Sequence, residues 1–77
     1  MMSELSDRIL TISLVYLGPA AKMFLERQTL AHMDKLKFED ITPSHLPELV
    51  KWINISGGLL IGAEKAKEFG EKIRSIS

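Results

Sequence analysis

An arginine set among apolar side chains must find a carboxylate, a row of backbone carbonyls or a bound anion, because its guanidinium cannot shed its charge. Arg27 has that position if the segment from Pro19 to Met33 is helical. At about 100° per residue, Met23, Phe24, Leu30 and Ala31 share one apolar sector, and Arg27 points into the middle of it. Glu39, Asp40, Glu48 and Glu64 are the chain's own candidates to answer the charge, and a side chain that snorkels to a partly exposed position is the other structural reading. The start of the same helix is a second candidate site. Unpaired N–H groups and the helix dipole at Gly18-Pro19, with Lys22 and Arg27, could hold a small anionic ligand such as phosphate. Against it, Lys22 and Arg27 are five residues apart and so diverge by about 140° around the axis.

Other arrangements promise less. His32 with Asp34, and His45, could ligate a metal together with Glu39 or Asp40, but no His-x3-His or cysteine spacing supports this, and neither a metal nor a cofactor is expected. Gly57-Gly58 followed by Gly62 superficially resembles a phosphate loop, yet lacks the Lys-Ser or Lys-Thr that would reach the phosphates. Serines, acids and two histidines occur without a nucleophile elbow, so an enzyme is not expected. A helix-turn-helix needs a basic recognition helix, and the segment from Leu46 to Ile55 offers only Lys51.

Composition narrows the rest. Seventy-seven residues, read as one domain over 1-77, lie near the lower limit of what one core can hold folded without help. With no cysteine, that help cannot be a disulfide. The chain is 45% hydrophobic, a surplus that suits a buried contact between copies. Ten basic and ten acidic residues cancel, so no overall field favours nucleic acid or an anionic membrane. The nearly uncharged run from Ile9 to Ala21 is interrupted by Gly18-Pro19 and is shorter than the roughly 20 apolar residues of a bilayer span. The N-terminus has no basic region of the kind that leads a signal peptide. A cytoplasmic protein without nucleic-acid or membrane partners is expected.

The elements that must position these residues read as a compact all-α fold of four helices, at about 4-17, 19-33, 44-56 and 59-76. The first has Ser3 as N-cap, Glu4 and Asp7 in its first turn, and Leu5, Ile9, Ile12 and Tyr16 on one face, with Leu10, Leu14 and Leu17 beside them. A strand over Leu10 to Leu17 is the competing reading. Gly18 closes this helix and Pro19 opens the next, which is central and covered on two sides. Residues 34–40 form a connector with room for a helical turn, tucking Leu36, Phe38 and Ile41 under the bundle. Ser44 caps the third helix, so that Pro47 loses no hydrogen bond, and Leu46, Leu49, Val50 and Ile53 form its core stripe. Gly57-Gly58 then breaks the chain. The last helix buries Leu59, Gly62, Ala63, Ala66, Phe69, Gly70 and Ile73, its small residues admitting a neighbouring backbone.

The run Tyr16-Leu17-Gly18-Pro19-Ala20-Ala21-Lys22, with Arg27 a turn and a half later, resembles a short helical module of unassigned function. That module lies at the C-termini of bacterial and archaeal signalling proteins, including serine/threonine kinases, where a Gly-Pro-x-Ala-Lys stretch precedes an arginine. The similarity lies in the first half of the chain, and Leu46-Pro47-Glu48-Leu49 and Glu64-Lys65-Ala66 are only loosely similar. The resemblance implies a small interaction or assembly unit and supplies no catalytic residue. Residues and resemblance together predict a non-catalytic module that forms a homodimer or docks to a signalling protein. Its contact surface would include Trp52, Ile55, Tyr16 and Arg27.

Overall fold

The computed structural model of the protein describes residues 3–76. Helix α1 spans Glu4–Leu17, α2 Ala21–His32, α3 Leu46–Trp52, α4 Gly58–Ile61 and α5 Ala63–Arg74. Short helical turns fuse several of these. A 3-10 turn, Gly18–Ala20, joins α1 to α2; another, Pro43–His45, leads into α3; and a π-helical turn, Ile53–Gly57, joins α3 to α4. The chain is all-helical, with no strand among the described residues, so the strand reading of Leu10 to Leu17 falls. The expected four helices become three continuous bodies, at residues 4–32, 43–61 and 63–74.

Each boundary has a local cause. Ser3 caps α1 as expected, its hydroxyl accepting from the Ser6 N–H at 3.1 Å. Gly18 bends the first body with φ 57° and ψ −141°, a conformation open essentially to glycine. The run Glu4–His32 is long and apolar enough to cross a membrane by composition. Its 29 residues would measure about 44 Å if straight, yet the longest extent of the whole chain is 30 Å, so it is folded back at the bend. The third helical segment starts from Thr42 rather than Ser44. In the opening 3-10 turn the Leu46 N–H already occupies the carbonyl of Pro43, the acceptor that residue 47 would use in an α-helix, so Pro47 forfeits nothing.

The helix does not break at Gly57-Gly58, which are helical; the break is at Gly62, with φ 89° and ψ 155°. The π turn resets the register of the helix beyond it. An i→i+5 turn inserts one extra residue into the helical repeat. The buried series Leu46, Leu49, Val50, Ile53 therefore continues through Gly57 and half-buried Ile61, and Leu60, which an unbroken 3.6-residue period would turn inward, faces out.

The core unites Ile9 of α1, Phe24 and Leu25 of α2, Leu49, Val50 and Ile53 of the middle body, and Phe69 and Ile73 of α5, closed from below by Met33, Phe38 and Ile41. Helix α5 packs against α1, α3 and the π turn and is the hub expected of α2. Its buried face is Ala66, Phe69, Gly70 and Ile73, whereas Leu59, Gly62 and Ala63 are exposed. Gly70 does admit a neighbour closely, for a Cβ there would meet Asn54 Nδ2 at 2.9 Å and Val50 Cγ1 at 3.2 Å. Ser6, Ser13 and Thr29, polar by type, are fully buried. They satisfy their hydroxyls on the preceding turn, as in Ser13 Oγ to the Ile9 carbonyl at 2.7 Å, and their small size lets helices approach.

Candidate functional site

Helix α2 turns the opposite way from its apolar sector. Ala21, Leu25, Gln28 and Thr29 face the core together with Phe24, while Met23, Arg27, Leu30 and Ala31 face outward. Arg27 is exposed and has no ion-pair partner among the described residues, so its charge is met by water and not by Glu39, Asp40, Glu48 or Glu64. The energetics favour this rotation. Burying the other sector would desolvate Arg27 and, beside it, Glu26, at several kcal/mol per charge. Covering Met23 and Leu30 would return only about 1.5–3 kcal/mol each.

The result is an apolar crest on the surface with a hollow on either side. One hollow, about 150 Å³, lies beside Arg27 and is lined by Ala20, Met23, Phe24 and Leu60. The other, about 370 Å³, lies beside Glu26 and has Leu30 and Phe38 among Lys22, Lys37 and Glu39. Met23 is 67% exposed and Leu60 65%, and nearby in sequence Val15 reaches 80% and Leu59 87%. Sequence reasoning missed Met23, Leu30 and Leu60 as surface residues. The presence of Arg27 in their sector was the available signal for the first two.

The residues expected at an interface are divided between separate places. Trp52 is half-buried at the end of α3 and stacks on His32 at the end of α2, ring centroids 3.9 Å apart and 11° from parallel. Lys51 Nζ lies 5.0 Å from the centroid of the same indole. Trp52 is thus a clasp between α2 and α3. Its Nε1 and the Oε1 of buried Gln28 have no hydrogen-bond partner among the described residues. Tyr16 stacks on Phe69, centroids 5.0 Å apart, and its hydroxyl donates to Glu68 Oε2 at 2.6 Å. Ile55 is about half exposed. Of the four, Arg27 alone lies on the crest.

The alternative anion site is not assembled. Gly18 donates its N–H to the Leu14 carbonyl, and Lys22 and Arg27 line different hollows. Nor are the histidines gathered: His45 Nδ1 accepts from the Thr42 N–H at 3.0 Å and so closes the turn into α3, while His32 lies on Trp52. Among the described residues no three potential metal ligands cluster.

Partial burial, and then the bond to the Glu68 carboxylate, push the Tyr16 hydroxyl up to about 12. The same bond, helped by Lys65, lowers Glu68. Since Tyr16 titrates higher folded than unfolded, where it lies at about 10, its contribution to stability is complete below pH of about 10 and is lost as pH rises towards 12. Tyr16 is the chain's only tyrosine. Its phenolate absorbance should therefore rise with a midpoint near 12 in the folded protein. A folded-state midpoint at about 10 would mean that the Glu68 contact is not made.

Searches against known protein families, curated proteins and solved structures returned no match, and none of them adds to the resemblance of residues 16–22.

Proposed function

We propose that the chain is a non-catalytic helical association module, possessing neither metal nor cofactor, that acts by pairing with a second copy of itself. The observation that carries this reading is the uncovered crest of Met23 and Leu30 with Leu60 nearby, large apolar side chains on a short chain that already has a filled core. Covering what remains exposed of each is favourable by about 1–2 kcal/mol. Against the several kcal/mol lost in association, this supports a contact of moderate strength. Arg27 orients it through a charge-assisted bond, as a fixed cation at the edge of an apolar patch can. The structural employment of both imidazoles, in a helix start and on an indole, favours a non-catalytic role. Docking to a signalling partner is the same chemistry with a different occupant. The anion-binding alternative is weaker, because its two cations diverge.

Sedimentation equilibrium tests this directly. Between about 1 µM and 1 mM the mass should climb from 8.7 kDa towards twice that value. Leu60→Lys or Met23→Lys, at exposed positions, should hold the chain monomeric without lowering its stability. A folded wild-type monomer throughout that range contradicts self-association.

A further inference from the structure

Building on the self-association reading, we infer that two copies pair through α2 in parallel, about a two-fold axis alongside the helix. Met23 meets Met23, Leu30 meets Leu30, and Arg27 of each copy bonds Glu26 of the other. The register of the crest carries the inference. Met23 and Leu30 are seven residues apart, one heptad, and so lie on nearly one line along the helix. Glu26 and Arg27 stand about 50° to either side of that line. All four side chains are exposed, and neither Glu26 nor Arg27 has an ion-pair partner among the described residues.

A two-fold parallel to the helix sets the arginine flank of one copy against the glutamate flank of the other, on both sides of the seam. An antiparallel pair would instead place Arg27 against Arg27 and Glu26 against Glu26. Opposite charges in contact decide for the parallel arrangement, and the two-fold uses the bond twice. The flanking hollows agree with it. The one beside Arg27, with Leu60 at its edge, comes to lie across from the one beside Glu26, with Phe38 in its wall. The chain's zero formal charge leaves no long-range repulsion between copies.

Charge reversal gives a closed test in sedimentation. Glu26→Arg alone and Arg27→Glu alone should each weaken the dimer by about tenfold or more, since like charges then face each other twice. The double variant Glu26→Arg/Arg27→Glu should recover pairing, and so should an equimolar mixture of the two single variants. Orientation is read separately. As the chain has no cysteine, Leu30→Cys and Met23→Cys each provide one thiol. On oxidation each should crosslink to itself, because a disulfide needs Cα atoms within about 7 Å. Wild-type dimers unaffected by either reversal, or thiols that join only when the two cysteine variants are mixed, would overturn the parallel α2 contact while leaving self-association standing. A wild-type chain that remains monomeric would overturn both.

Discussion

Phe69→Ala is expected to remove about 3–5 kcal/mol of stability, a large share of what a chain of this length possesses. Phe69 is fully buried on α5, the helix that touches α1, α3 and the π turn, and it carries the Tyr16 ring on its face. Truncation loses the transfer energy of the ring and leaves a void, which in buried aromatic positions amounts to about that much. A 77-residue domain holds on the order of 4–12 kcal/mol in total. Urea unfolding should show the midpoint falling steeply, and Phe69→Leu, which keeps much of the volume, should lose clearly less. A loss below about 1 kcal/mol for the alanine variant would show that α5 is not the hub of the core.

Gly62→Ala and Gly58→Ala should move stability in opposite directions, and in the reverse sense to the sequence expectation, which put the break at Gly57-Gly58 and Gly62 within the last helix. Gly62 holds φ 89° and ψ 155°, a region closed to side-chain-bearing residues, so alanine there should cost about 1–3 kcal/mol even though no atom stands within 4 Å of the new Cβ. Gly58 has ordinary helical angles, φ −57° and ψ −32°, and equally open surroundings. Alanine there should stabilise by about 0.4–1 kcal/mol, by reducing the freedom of the unfolded chain. Thermal unfolding of the two variants checks both signs. A destabilising Gly58→Ala would mean that the helix does break where the paired glycines suggest.

The Ser3 cap, the Gly18 bend, the core stripe Leu46, Leu49, Val50, Ile53 and the tucked Phe38 and Ile41 were legible from side-chain type and spacing, and the structure has them. The rotation of α2 was not legible from periodicity. Two apolar arcs compete on that helix, and the one of smaller side chains, Ala21, Leu25 and Thr29, won because it lets α2 approach its neighbours and keeps Arg27 and Glu26 hydrated. The exposure of Leu60 was hidden for another reason. The π turn that shifts the register is not encoded in any hydrophobic period. Nor could spacing foresee that Trp52 would find His32, since that contact joins two helix ends far apart in the chain.

By itself, then, the sequence determined that the chain is helical, where it bends at Gly18, and which stripe of the middle segment is inward, because capping, backbone freedom and apolar period act between near neighbours. Tertiary structure alone decided the side of α2 that faces water and the register shift at the π turn Ile53–Gly57, and hence the outward placement of Met23, Leu30 and Leu60. Those choices depend on the relative cost of burying whole faces against one another, a quantity that exists only once the helices meet.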